Sequence, residues 1–572
     1  MKNLSDHLTS FYGADESPQL FDRVQKIIEG YRERIPVRDA SLTERDSILI
    51  TYGDQVQTPG ERPLQTLGAF CRENLAGVVN GIHILPFYPW TSDDGFAVVD
   101  YRQVDPALGN WADISAMQSH FRLMFDGVIN HISSKSDWFK AFLDDDPHYR
   151  DYFVVVDGFP DLSQVVRPRA LPLLTTFKAL SGEKRVWTTF SEDQIDLNFK
   201  NPEVLLDVLD VLLMYVEQGA TFIRLDAIAY LWKEIGTSCI HLPQTHRVIQ
   251  FVRAALNELA PHVHLITETN VPHLDNISYF GDGTNEAQLV YNFALPPLTL
   301  HTFRTGEARV LSEWAKTLTL PSEHVTFFNF LASHDGIGLN PARGILPPAD
   351  IEALVEKTLE HGGLVSYKHN SDGTQSPYEL NINYFDALSN PKGLLQSPEM
   401  MAEANYESLD LQVNRFIAAH AIMLSLVGVP GIYFHSLFGS RGWMEGVKQT
   451  GRNRTINREK CDLVSLQREL ADPQSLRARV FVRFYQLLST RSNSPAFDPH
   501  GTQIILDLHP SAFALERVSP DGTTRVLCLH NVSQQKITFS TPYESGVDLF
   551  TNQSLDVSQI SQDAYQILWI KL

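Results

Sequence analysis

Eight short runs of continuous, β-branched hydrophobicity recur along this chain: Ser47-Ile-Leu-Ile-Thr51, Val78 to Leu85, Leu123 to Ile129, Thr221 to Leu225, Val263 to Thr267, Gln288 to Asn292, Val325 to Phe330 and Gly431 to Phe434. A strand with one wetted face alternates apolar and polar residues, whereas a strand covered on both faces reads as an unbroken apolar run. Between the runs lie stretches with helical spacing. After residue 200, Asn201 can cap a helix, Pro202 suits its first turn, and Val204, Leu205, Val208, Leu212 and Val216 form one buried stripe. Strands and helices in alternation, with the strands buried on both sides, predict an α/β chain whose parallel sheet closes as a (β/α)8 TIM barrel.

Two connections are too long for ordinary loops, one after the third run and one after the seventh. The expected organisation is therefore a barrel in three pieces, residues 1–131, 199–335 and 412–496, with an inserted domain at 132–198 and a second insertion at 336–411. Both insertions follow strands at the end of a barrel where active sites form, so they should wall the site and set substrate choice. From Phe497 the pattern changes to short alternating segments such as Gln503-Ile-Ile-Leu-Asp-Leu508 and Arg525-Val-Leu-Cys-Leu529, which predicts a small antiparallel β domain over 497–572.

A formal net charge of −21 argues against nucleic acid and anionic membranes as partners, since those surfaces need basic patches. No run approaches the roughly 20 apolar residues of a membrane span, and the start of the chain lacks a signal-peptide core, which points to the cytoplasm. Cys71, Cys239, Cys461 and Cys528 are scattered without metal-ligand spacing and read as packed thiols. No metal or organic cofactor is implied, and oligomeric state is not legible.

Carboxylates stand at the ends of three of the strands: Asp226 after Phe222-Ile-Arg-Leu225, Glu268 after Leu265-Ile-Thr267, and Asp335 after Leu331-Ala-Ser-His334. Retaining cleavage of a glycosidic bond requires one carboxylate as nucleophile and one carboxylic acid as proton donor, roughly 5 Å apart. Residues two apart on a strand face the same way, so Arg224 should project beside Asp226 and keep it ionised. Apolar neighbours of Glu268 would raise its pKa for proton donation. His334 beside Asp335, and Asp126, Asn130 and His131 at the third strand's end, add groups suited to sugar hydroxyls. Singly, each is as compatible with a structural ion pair or a cap. Several together, where a sheet should be apolar, would cost several kcal/mol without a purpose.

The segments Asp126-Gly-Val-Ile-Asn-His131, Arg224-Leu-Asp226-Ala227, Glu268 and His334-Asp335 resemble the four conserved regions of glycoside hydrolase family 13, the α-amylase superfamily, in order and spacing. Gln194-Ile-Asp-Leu-Asn198 resembles a fifth. The resemblance implies Asp226 as nucleophile, Glu268 as general acid/base and Asp335 as transition-state stabiliser, with Arg224, His131 and His334 on the glucosyl ring. Within the family, His83-Ile-Leu-Pro-Phe-Tyr-Pro89, Ser92-Asp-Asp-Gly-Phe96, Gly236-Thr-Ser-Cys-Ile240 and Ile456-Asn-Arg458 resemble the sucrose phosphorylase subfamily. That likeness implies that Asp93 and Arg458 close the sugar pocket around one glucosyl unit. Asp94 stands where the subfamily often has arginine, so the acceptor side should differ. Arg167-Pro-Arg-Ala-Leu-Pro-Leu-Leu174, Ile266-Thr-Glu-Thr-Asn-Val-Pro-His273 and Asp372-Gly-Thr-Gln-Ser-Pro-Tyr378 are similar to the bacterial glucosylglycerate phosphorylases.

The implied reaction is a glycoside phosphorylase's, moving glucose between an α-glucoside and inorganic phosphate, with glycerate as acceptor. A phosphate dianion beside two carboxylates needs cations, and Arg167 and Arg169 offer guanidinium forks, a solvated surface pair being the alternative. Tyr378 matches a subfamily tyrosine that contacts phosphate. Asn270 and His273 either touch the acceptor or pack their loop. Sucrose or glucosylglycerol phosphorylase, a hydrolase, and a non-catalytic scaffold are the competing expectations, the last opposed by the complete set of carboxylates.

Overall fold

The computed structural model describes residues 4–39, 41–168, 171–369, 374–389 and 407–572. Its centre is a closed, all-parallel barrel of β1 (Ile48–Thr51), β2 (Gly81–Ile84), β3 (Arg122–Gly127), β4 (Ala220–Leu225), β5 (His264–Thr267), β6 (Leu289–Tyr291), β7 (Thr326–Asn329) and β8 (Val429–Tyr433). All eight arise from the runs named above, and each strand pairs with its neighbours in sequence, β8 closing onto β1. Strand ends differ by a few residues. Val78 and Val79 belong to the turn that leaves helix Pro63–Leu75 rather than to β2, where they are buried all the same, so their hydrophobicity lengthened the expected strand.

Helix Pro202–Glu217 begins as its sequence dictates: the Asn201 side chain accepts the N–H of Glu203 at 3.0 Å, and Pro202 occupies the first turn. Its stripe of Val204, Leu205, Val208, Leu212 and Val216 is buried. A fully buried side chain of this kind contributes about 1.5–3 kcal/mol.

Between β3 and β4 the chain forms an antiparallel pair, His131–Ser133 with Gln194–Asp196, and a hairpin of Leu174–Ala179 with Gly182–Trp187. A small core of Val156, Val165, Leu173 and Trp187 holds this region against Cys239 from the β4–β5 connection. Between β7 and β8 lie helix Pro348–Glu360 and a three-stranded sheet of Ile337–Gly338, Gln375–Asn381 and Leu364–His369. Past the barrel, six antiparallel strands carry two apolar faces. Along Ala512–Val518, Ala512 and Ala514 enter a local core with Leu527, Leu529 and Phe539, while Phe513 and Leu515 pack towards the barrel. Arg491 and Arg517, both buried, tie the base of the barrel to this sheet through backbone carbonyls, Arg517 reaching Ser425 at 2.9 Å and Asp498 at 2.7 Å. No described helix is long and apolar enough to cross a membrane.

Candidate active site

Register assembles the candidate carboxylates. Asp126 of β3 pairs with Arg224 of β4, and Leu225 pairs with Thr267 of β5, so the next residues, Asp226 and Glu268, leave adjacent strands side by side. The Arg224 guanidinium sits beneath them. Its Nη1 donates to Asp226 Oδ1 at 2.9 Å and to Asp126 Oδ1, and its Nη2 lies 3.9 Å from Glu268 Oε2. His83 of β2 holds the other Asp126 oxygen at 2.7 Å. Ala227, in the left-handed region at φ +48°, turns its N–H onto Glu268 Oε2 at 3.0 Å. Strain of this kind persists where surrounding structure fixes it, and here it orients the carboxyl.

Burial lifts both carboxyls. Asp226 is pushed up to about 8 by desolvation, with Glu268 and Asp126 adding to the rise and Arg224 opposing it. Glu268 is also raised, by burial first, against Arg224 and the Ala227 N–H. Two raised carboxyls around one guanidinium titrate as a pair. Arg224 stands nearer to Asp226, at 2.9 Å, than to Glu268, at 3.9 Å, and so favours a negative charge on Asp226 more strongly than on Glu268. Asp335 has the opposite environment. Burial alone would raise it, but Arg454, His334 and Arg458 together hold it well below the usual carboxylate range.

These groups line one cavity of about 810 Å³, open to solvent, together with Asp93, Phe96, His131, Asn270, His334, Tyr378 and Arg454. Phe96 and His334 stack at 5.0 Å between centroids. His131 is fixed by a relay: buried Lys233 donates to Asn130 Oδ1 at 2.8 Å and to Asp196 Oδ2 at 2.6 Å, Asn130 Nδ2 reaches His131 Nδ1 at 3.1 Å, and Nε2–H donates to the Phe96 carbonyl at 2.9 Å. Desolvation pushes His131 down to about 4 and His334 to about 3, so both are neutral hydrogen-bonding groups. Asp93 and Asp94 have φ of +55° and +50°, and the turn closes on Gly95, where a Cβ would meet the Pro86 carbonyl oxygen at 2.7 Å.

Several expected residues lie elsewhere. Arg458 does not line this cavity; Arg454 does. A 3₁₀ turn over Asn453–Asn457 directs Arg454 inward, where Nη1 meets Asp335 Oδ1 at 2.6 Å and a fork of Nε and Nη2 grips buried Glu379 at 3.0 and 2.6 Å. Arg458 instead pairs with Asp94, donates to the His334 carbonyl at 2.9 Å and lies 3.5 Å from Asp335. Arg167 is turned onto the Leu171 carbonyl, and its neighbour Pro168 lines the cavity. Arg169 is outside the described residues. His273 opens the short helix His273–Ile277 and faces Trp314 and Phe327, at 6.1 and 6.5 Å between rings, away from the cavity. Asn270 and Tyr378 are in place and touch, Nδ2 to hydroxyl, at 3.4 Å. Outside them a vestibule of about 1330 Å³ is bordered by Asp94, Tyr367, Arg452, Arg454 and Arg458.

The alpha amylase catalytic domain family matches residues 76–336. The glucosylglycerate phosphorylase of Allomeiothermus silvanus is 51% identical over 96% of this chain and 96% of its own, and that of Spirochaeta thermophila 49% identical over 98% and 97%. The chain belongs to the α-amylase family, on the branch of the glucosylglycerate phosphorylases. Among solved structures, sucrose 6F-phosphate phosphorylase from Thermoanaerobacter thermosaccharolyticum superposes with a TM-score of 0.74 at 24% identity, covering 90% of this chain and 99% of its own, which is a likeness of fold.

Proposed function

We propose that the protein is a retaining glycoside phosphorylase that interconverts 2-O-α-D-glucosyl-D-glycerate and phosphate with α-D-glucose 1-phosphate and D-glycerate. Asp226 attacks the anomeric carbon as the bond to the glycerate oxygen breaks, and Glu268 delivers its proton to that oxygen. A phosphate oxygen then attacks the glucosyl ester, Glu268 takes the phosphate proton back, and Asp226 leaves as carboxylate. Two inversions give net retention. Asp335, held ionised by Arg454, stands ready to stabilise the cationic transition state. His131, Arg224, His334 and Asp93 bind the glucosyl ring.

The single observation that carries the reaction is the Arg224 guanidinium shared by Asp226 and Glu268 at the base of the cavity. Glycerate as acceptor rests on likeness to the named phosphorylases along nearly the whole chain. Among the arginines of the vestibule, Arg452 is half exposed and loosely paired, 3.8 Å from Asp94, and we read it as the cation for an anionic acceptor and phosphate in a protein of net charge −21, a role expected above of Arg167 and Arg169. We read the segments 132–198 and 336–411 as walls of the acceptor side, and the protein as a cytoplasmic enzyme working on small molecules. The test is phosphate release from α-D-glucose 1-phosphate with D-glycerate, glycerol, fructose or fructose 6-phosphate. Release should require D-glycerate; equal release without any acceptor would mean hydrolysis and sink the phosphorylase reading.

A further inference from the structure

A second cavity, of about 730 Å³, lies behind the Asp94–Arg458 ion pair. Among the described residues it shares no lining residue with the catalytic cavity and meets the vestibule only at Asp94 and Arg458. Its walls come from the ends of β1 and β2 and from the connection after β8: Tyr52 and Asp54, Trp90, and Trp443 with Lys460. Small-molecule sites are mostly apolar with a few placed polar groups, and this lining has that character.

The chemistry of the lining restricts the occupant. Both cations are already answered, Lys460 by Asp54 at 2.6 Å and by the Tyr52 ring at 4.1 Å, Arg458 by Asp94. An entering anion such as phosphate or glycerate finds no unanswered cation. A neutral polyhydroxyl molecule finds two indoles to cover its apolar C–H face, carboxylates to accept its hydroxyls, and the hydroxyls of Thr450 and Thr455. The Tyr52 hydroxyl, on a residue 6% exposed, has no hydrogen-bond partner among the described residues, which is costly unless a ligand or solvent supplies one. We propose that this cavity is a second saccharide site, taking a neutral sugar or polyol, distinct from the catalytic site.

Among the described residues the catalytic cavity has no tryptophan in its lining, whereas this one has two, so indole fluorescence separates them. The experiment titrates D-glucose into wild type and into Asp226→Asn, then into Trp90→Phe, Asp54→Asn and Asp54→Ala. The expected result is a saturable change in the first two proteins, most of its amplitude lost in Trp90→Phe, and a midpoint raised about tenfold in Asp54→Ala, the size of one charge-assisted hydrogen bond. Asp54→Asn keeps the shape and should fall between. No saturable change in wild type, or a midpoint and amplitude untouched by these substitutions, would overturn the proposal. The signal does not depend on turnover, so failure of the phosphorylase reading would leave it standing.

Discussion

Arg454 is where structure and catalysis can be separated most sharply. Its guanidinium joins Asp335, at 2.6 Å, to Glu379, whose side chain is 2% exposed and which it grips with two bonds. In Arg454→Met the Glu379 carboxylate keeps its burial and loses both bonds. Removing one partner of a buried pair costs about 3–5 kcal/mol. The Arg454 side chain is 27% exposed, so water softens the loss, and about 3 kcal/mol is the expected value. The double variant Arg454→Met/Glu379→Gln removes the stranded charge and should regain about half of it, because a neutral amide is far less costly to bury than a carboxylate.

Activity should respond differently. Asp335 loses the largest of the influences that depress its pKa, so that pKa rises towards the ordinary carboxylate range. A depressed carboxyl is ionised throughout the working range, and a released one becomes protonated as pH falls through the ordinary range. The acid limb of the rate profile must therefore move to higher pH. Misplacement of the stabilising charge should lower kcat/KM by about 10²–10³. Urea denaturation and initial rates of glucose 1-phosphate formation, measured across the acid limb, test both halves. If the double variant recovers stability while the acid limb stays where wild type has it, Arg454 is a structural staple and its link to Asp335 is wrong. If the double variant is as unstable as the single, the stranded-charge argument fails.

Asp226→Asn should abolish phosphorolysis and raise stability. Asp226 has a folded pKa of about 8, so the native state holds its proton more tightly than the unfolded one, and wild type loses stability as pH rises from about 4 towards 8. The variant's advantage should be about 1–3 kcal/mol above neutrality and vanish below the ordinary carboxyl pKa, a pattern that denaturation at several pH values would check. Lys233→Met strands buried Asp196 and frees Asn130, so a loss of about 3–5 kcal/mol is expected, with partial recovery in Lys233→Met/Asp196→Asn; unchanged urea midpoints would contradict the relay to His131. Arg491 donates to the carbonyls of Leu424, Glu44, Asp46, Gly428 and Phe497, and Arg491→Met should cost about 3 kcal/mol or more with little change in KM. A large KM shift without loss of stability would argue against its placement at the barrel base.

The barrel was legible because its strands are buried on both faces, and that condition writes an unbroken apolar run into each, from Ile48-Leu-Ile50 to Val429–Tyr433. The pairing of the candidate carboxylates was legible for a related reason: these apolar runs stop at charged residues at the strand ends, and parallel register then forces Asp226 and Glu268 to emerge together. Arg454 was hidden by its own neighbourhood. Arg452, Arg454 and Arg458 lie within seven residues of a loop, and only the turn over Asn453–Asn457 decides which one points at Asp335. The same holds for Asp93 and Asp94, adjacent residues of a left-handed turn that both border the vestibule, of which Asp93 also lines the catalytic cavity while Asp94 pairs with Arg458. Periodicity encodes direction within strands and helices and is silent in loops. Hence the groups expected on the glucosyl side from strand ends lie where strand geometry puts them, whereas Arg167, His273 and Arg458, expected on loops, needed the fold to locate them. If loops determine the acceptor side, specificity among these phosphorylases should change by exchange of the Gly451–Arg458 and Asp93–Gly95 turns, with Asp226, Glu268 and Asp335 left in place.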